Sequence, residues 1–440
     1  MPTDFVASLP RERSEHALAD KKPLYTAAEA RAESERCLYC ADAPCIQACP
    51  TEIDIPTFIK KIASGNVEGS ASTIFDQNVL GYSCARVCPV EVLCVGSCVY
   101  NGWNKDPIQI GRLQRFATET ALGKVGAKKL FPVSKAAAKK KIALIGAGPA
   151  SLACAALLAM EGHDCTIYEK RKVPGGLNAT GIAPYKLHAE DAILEAEVVF
   201  SLGVKVETGV EIGKDVSGQA LLDANDAVYI GVGLGHDSKL GIPGEDGPGV
   251  MGAVEWIEEM KLSPAKKGSL GRVIVIGAGN TAIDVARECA LLGAQEVGMI
   301  YRRTKKEMTG YLHEMNGARK ESVRLLENRQ PLAFVRDGSG KLTGIEVVVL
   351  EGGKEVGKEV VHCDHAFVAV GQAKLKAIAA QFPGVETDQR GCVVANKTNG
   401  QTGNAKVFAG GDCINGGKEV VNAVANGRDT ARFLLASWSK

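Results

Sequence analysis

Net charge is almost absent: 52 Lys+Arg stand against 51 Asp+Glu, leaving +1 over 440 residues. A chain whose main partner was nucleic acid would carry a basic excess, so that class is excluded. The opening stretch MPTDFVASLPRERSEH lacks the apolar core of a secretory signal. The expectation is a cytoplasmic protein in which disulfides do not persist. Aromatic residues are few, at 5%, while glycine is plentiful, at 50 residues. That balance predicts tight turns and close backbone approaches. Long hydrophobic runs are missing too, with one exception at residues 142–160, IALIGAGPASLACAALLAM. It is uncharged and just long enough to span a bilayer. The embedded GAGPAS and a matching stretch at 273–283 predict a strand, a tight turn and a helix instead.

Cysteine is the informative excess. Of 14 cysteines, eight lie between Cys37 and Cys98. The first group is Cys37-x2-Cys40-x4-Cys45-x3-Cys49-Pro50, and the second is Cys84-x3-Cys88-Pro89-x4-Cys94-x3-Cys98. Thiolates at such spacing, with proline after the last cysteine of a run, form the ligand pattern of 4Fe–4S clusters. Zinc is the competing reading, because C-x2-C also opens zinc sites. Zinc sites use two separated pairs and often histidine, and none of the seven histidines lies in this region. Eight cysteines invite two clusters of four ligands each; spacing alone leaves open which cysteine serves which. Elsewhere Cys154, Cys165 and Cys289 read as small apolar packing residues. Cys289, Cys363 and Cys392 are isolated, so a disulfide reductase of the thioredoxin-reductase type, which needs C-x-x-C beside its nicotinamide, is disfavoured.

From residue 142 the chain repeats itself. KKIALIGAGPASLACAALLAMEGHDCTIYEK is echoed by GRVIVIGAGNTAIDVARECALLGAQEVGMIYRR, and DAVYIGVG, ending at Gly233, by DHAFVAVG, ending at Gly371. Gly146, Gly148 and Ser151 follow an apolar strand. The first glycine permits the turn, the second admits a pyrophosphate, and the small third residue lets the helix pack on the strand. Glu169 ends the next strand, where a carboxylate can accept from both ribose hydroxyls. Gly175 and Gly176 form a loop suited to passing under a flavin. The second fingerprint is Gly277, Gly279 and Ala282, and its next strand ends in Arg302 and Arg303, which suit the 2′-phosphate of NADP. Site one therefore suits FAD and site two NADPH. In the terminal AGGD, Asp412 is placed to bind the ribityl chain, and the helix from about Glu419 is expected to aim its N-terminus at the flavin ring.

The predicted architecture is α/β. Residues 1–35 form an arm, 36–125 a helical iron–sulfur domain and 126–141 a linker. An FAD-binding domain takes 142–254 and 373–440, and an NAD(P)H-binding domain 255–372, both Rossmann-like.

The cysteine groups, IQIGRLQRFATE, GAGPAS, YEK, GGL and FAGGD resemble the N-terminal electron-input half, or small subunit, of the dihydropyrimidine dehydrogenase family. The glutamate synthase small subunit shares this architecture. The resemblance spans residues 30–440. It implies a crossed ligand set: Cys37, Cys40, Cys45 and Cys98 on one 4Fe–4S cluster, and Cys49, Cys88 and Cys94 with Gln114 on the other, leaving Cys84 spare. It places FAD contacts at Ala147, Gly148, Pro149, Ala150, Ser151, Glu169, Gly175, Gly176, Leu177, Ile212, Gly411 and Asp412. Lys186 stands where the family often has a flavin-side arginine. NADPH contacts fall on Asn280, Thr281, Arg302, Arg303, Ala369, Val370 and Gly371, while Thr309 replaces a third arginine and weakens the preference for NADPH over NADH. The implied partner is a pyrimidine-reducing subunit with FMN and further iron–sulfur clusters, acting on uracil or thymine. The competing partner is the large subunit of glutamate synthase.

Overall fold

The computed structural model describes residues 4–134, 139–266 and 268–439. The cysteine region is helical, and local chemistry explains its helices. Thr26 and Glu29 form a capping box ahead of Ala27–Glu35, and Asp54 accepts from Thr57 N–H to start Ile55–Ala63. The latter helix buries Ile55, Phe58, Ile59 and Ile62, one stripe at helical spacing. Helices Val67–Phe75, Gly81–Val87 and Ile110–Val125 complete the bundle.

Thirteen strands follow among the described residues. Strands β1 (Lys141–Ile145), β2 (Asp164–Glu169), β3 (Lys205–Thr208) and β4 (Ala227–Ile230) belong to one parallel sheet. Strands β5 (Val250–Gly252), β6 (Arg272–Ile276), β7 (Glu296–Tyr301) and β8 (Arg324–Glu327) belong to a second. β9 (Arg329–Arg336), β10 (Leu342–Glu351) and β11 (Lys354–His362) form a separate antiparallel sheet that the sequence reading missed. β12 (His365–Val368) then enters the second sheet, whose order is β5-β12-β6-β7-β8, and β13 (Val407–Ala409) returns to the first, ordered β13-β4-β1-β2-β3. The cores 4-1-2-3 and 12-6-7-8 are equivalent, so the internal repeat appears as one topology used twice.

Two sequence expectations need adjustment. β5 pairs with β12, so the second sheet begins ahead of residue 255. The stretch read as a linker holds a short helix, Ala127–Leu130, and buries Leu130 and Phe131; its residues 135–138 lie outside the described residues. The N-terminal arm packs on the first α/β unit: Phe5 and Leu9 join a core cluster with Ala189 and Ile193, and Glu15 accepts from Ala189 N–H at 2.9 Å. No helix among the described residues is long and apolar enough to cross a membrane, and the run 142–160 is β1, a turn and the helix Pro149–Met160.

Candidate functional site

At the first glycine turn Gly146 has φ +89°, and a Cβ there would meet the Gly231 carbonyl at 2.8 Å. Gly277 repeats this with φ +138° against the Ala369 carbonyl at 2.3 Å. In both turns the strand-to-helix chain touches the exit of the neighbouring strand, which only glycine permits. The following helices, Pro149–Met160 and Asn280–Leu291, have glycine N-caps with no side-chain cap, leaving their first N–H groups for a phosphate. Gly176 (φ +55°) would place a Cβ 2.8 Å from Gly148 Cα, so the loop leading to Leu177 is a second glycine surface laid on the first. Ser151 is fully buried against the backbone of Gly231. Pro149 and Ala150 open the helix, and Ala150 meets Gly411 of the AGGD turn.

Glu169 is buried, and its carboxylate accepts from Ala147 N–H and Arg171 N–H, both at 2.7 Å. Ile212 packs against the same core cluster as Tyr168 of β2. Burial raises the pKa of Asp412, opposed by a bond from Lys418 N–H. Glu419 precedes the last helix: its backbone carbonyl accepts from Asn422 N–H at 2.9 Å, and its N–H donates to Asn422 Oδ1 at 3.3 Å. It also accepts from Tyr311 OH at 2.7 Å, bridging to the second unit. Lys186 lies at the same seam, 2.8 Å from Asp284 and 3.0 Å from Glu314. Burial opposes its charge, but the two carboxylates outweigh burial and raise its pKa. Sequence reasoning missed Asp284, Glu314 and Tyr311, which become partners only when the two repeats face each other.

Around the second turn, Asn280 Oδ1 accepts from Tyr311 N–H at 2.9 Å, and Thr309 Oγ1 lies 3.5 Å from a Cβ built on Gly279. Thr281 occupies the first turn of the same helix. Arg302 and Arg303 are exposed beyond β7 and form no ion pair among the described residues. Ala369, Val370 and Gly371 follow β12, with Gly371 at φ +115°.

The thiols fall into two neighbourhoods. Cys37, Cys40, Cys45 and Cys98 line one cavity with Pro44, Ile55 and Tyr100. Burial, then the Cys37 charge, pushes the Cys45 thiol up to about 12. Cys94 feels Cys49 as a neighbour, and burial pushes it up to about 12 as well. Cys88 is raised by its bond with Cys84 and by burial. Crowded thiols of raised pKa in an apolar pocket are costly as free thiolates, and a bound metal centre removes that cost. A single zinc at about 2.3 Å from each sulfur would hold them roughly 3.8 Å apart. Among the described residues no three cysteine sulfurs lie within 4.8 Å of one another. Gln114 is buried on helix Ile110–Val125, with Nε2 donating to the Gly81 carbonyl at 2.7 Å and no protein donor to its Oε1 among the described residues. Its neighbours Leu113 and Ala117 pack in the core cluster that includes Cys94 and that Cys37, Cys45, Cys49, Cys88 and Cys98 adjoin.

Two dinucleotide turns facing across a seam, joined to a thiol-rich bundle, define a flavin- and iron–sulfur-dependent oxidoreductase that uses NAD(P)H. The chain belongs to the pyridine nucleotide-disulphide oxidoreductase family, which matches residues 140–427, and carries the module described as dihydropyrimidine dehydrogenase domain II, 4Fe–4S cluster, at residues 14–125. It is 35% identical to a glutamate synthase (NADPH) small chain of Halomonas elongata, covering 93% of this chain and 91% of that one. It is also 35% identical to the NAD-dependent dihydropyrimidine dehydrogenase subunit PreT of Escherichia coli, covering 95% of this chain and 96% of that one. Among solved structures, a T. acidophilum thioredoxin reductase shares the fold over 69% of this chain and all of its own length (100%), with 23% identity and a TM-score of 0.56. All 14 cysteines are free, and Cys289 and Cys363 are buried.

Proposed function

We propose that the chain is the electron-input subunit of a dihydropyrimidine dehydrogenase, which oxidises NAD(P)H and delivers electrons to a partner that reduces uracil or thymine. In this reading β1–β4 and β13 carry FAD, β5–β8 and β12 carry the nicotinamide nucleotide, and two 4Fe–4S clusters sit in the helical bundle. Bound FAD would take a hydride from the nicotinamide and release its electrons singly to the clusters. The chain's own part is positioning. Gly146, Gly148 and Gly176 give the flavin nucleotide backbone to lie on. Glu169 and Asp412 hold its hydroxyls, and Asn280 with Tyr311 shapes the nicotinamide side. Lys186, fixed by Asp284 and Glu314, brings a cation into the seam without leaving it unpaired.

Gln114 is the observation that carries this reading over its relatives. A buried amide with an unused Oε1, bonded to the helix that carries Cys84 and leads into Cys88, suits a fourth ligand, and the cavity shared by Cys37, Cys40, Cys45 and Cys98 suits the other set. A neutral ligand makes a cluster less negative and raises its potential. The equal identity to the glutamate synthase small chain favours a second reading, in which the same input unit serves that enzyme's large subunit.

Anaerobic purification with flavin and metal analysis tests the first part. One FAD and roughly eight irons per chain are expected, with NAD(P)H bleaching the flavin. Four irons or fewer in a fully loaded sample removes Gln114 from the ligand set. Co-purification decides the partner: an FMN- and iron–sulfur-containing pyrimidine-reducing subunit is expected, and a partner of glutamate-synthase size in its place selects the second reading.

A further inference from the structure

The last helix, Val420–Trp438, packs along Pro149–Met160, and three consecutive residues in it each reach a different part of the molecule. Asn426 Oδ1 accepts from Gly411 N–H at 3.1 Å, in the AGGD turn. Gly427 lies so close to the phosphate-side helix that a Cβ would stand 2.0 Å from the Ala150 carbonyl. Arg428 is only 4% exposed, and its Nη1 donates to the Thr51 carbonyl and reaches Gln77 Oε1 at 3.4 Å. Thr51 lies two residues beyond Cys49, and its hydroxyl is 3.4 Å from Cys49 Sγ. Asn78 donates to the same hydroxyl at 3.4 Å, and Arg428 is charge-balanced by Asp429 at 2.8 Å. One rigid helix therefore ties the flavin turn, the dinucleotide helix and the loop behind a thiol of the second group.

We propose that Arg428 is a positioning residue that holds the Cys49 loop against the flavin unit and so sets the electron path from FAD to the cluster held by Cys49. The inference rests on the electron-input reading. Tunnelling falls exponentially with distance, so a loop free to move by a fraction of a helical turn would lose rate even with both centres intact. A buried guanidinium is also costly unless fully paired, and here its partners are the very groups that need fixing. The transfer balances as one hydride in, two electrons out to one-electron acceptors, and one proton released to solvent.

The test uses Arg428→Leu and Arg428→Lys in the full chain, loaded anaerobically and mixed with NAD(P)H in a stopped-flow instrument. Flavin bleaching should match the unmutated protein, while electron arrival in the clusters should slow by about tenfold or more in Arg428→Leu and recover in part in Arg428→Lys. The low-temperature EPR signal of one cluster should change and the other should not. Loss of one cluster from Arg428→Leu, with flavin bleaching intact, supports the same role. Unchanged cluster reduction and unchanged EPR in both variants overturn the proposal, as does parallel loss of flavin and iron in both, which would make Arg428 a folding residue only. If NAD(P)H fails to bleach the unmutated flavin, the electron-input reading falls first; normal bleaching with unaltered transfer in the variants removes only the role of Arg428.

Discussion

At Gly176 the backbone has no space for a side chain and adopts φ +55°, with Gly148 Cα 2.8 Å from where a Cβ would sit. Gly176→Ala should cost roughly 1–3 kcal/mol from strain and overpacking, and the purified protein should hold less FAD. Unchanged FAD content and thermal midpoint would show that the loop can yield. Such glycines were legible in the sequence because the turn geometry demands them locally. Arg302 and Arg303 were legible as a pair, and the structure leaves both exposed. Changing both to Ala should raise KM for NADPH by about tenfold to a hundredfold while leaving NADH nearly unaffected, since charge-assisted bonds to a phosphate contribute about 1.5–3 kcal/mol. Equal losses with both nucleotides would assign the arginines to a part the two share. What no local pattern could disclose is Lys186 held by Asp284 and Glu314, because the three meet only through the packing of the two repeats.

Among the elements, the helix Gly81–Val87 carries Cys84 and leads into Cys88, and the first α/β unit caps it from outside. Glu195 is buried, and its Oε1 accepts from Tyr82 N–H at 3.0 Å and Ser83 N–H at 3.2 Å. Burial pushes its pKa up to about 7, against bonds from Ser83 and Tyr82 that pull it down. Between about pH 4.5 and 7 the folded chain keeps a proton that the unfolded chain has released, so this contribution to stability is complete below that window and lost as pH rises through it. Glu195→Gln keeps the accepting oxygen and removes the titration. The variant should lose less of its thermal midpoint between pH 5 and pH 8, a difference of up to about 3 kcal/mol. An identical drop in both proteins would mean that another group controls the window. The helices of this bundle were readable because their apolar stripes and caps lie within a few residues of each other. β9–β11 were not, because β11 is an almost wholly exposed edge strand, KEVGKEVVH, whose charges mask its alternation.

In the whole molecule, the two α/β units are joined by polar groups taken fully out of water. Lys261, on helix Ala253–Leu262, is completely buried, and its Nζ donates to the carbonyls of Asn178, Ile182 and Leu187 at 2.8, 3.0 and 2.8 Å. Those three carbonyls bracket the loop from Leu177 to Lys186, so the second unit holds the flavin-side loop of the first. Burial pulls the Lys261 pKa down to about 8, against the attraction of the buried Glu15 and Glu288, whose own carboxyls burial pushes up. A buried cation is stabilising only with a complete set of partners, so this seam has one geometry in which it is satisfied. Lys261→Met fills much the same volume but leaves three carbonyls without a donor. It should cost about 3–5 kcal/mol and bring the loop 177–187 within reach of a protease. FAD should also be retained less well, because Leu177 and Lys186 would lose their support. An unfolding midpoint equal to that of the unmutated protein would show that the seam is held elsewhere, by the Lys186 and Tyr311 contacts. The sequence hides this residue: KL at the end of AVEWIEEMKL reads as a solvated helix terminus, and its partners lie in a distant segment of the other unit.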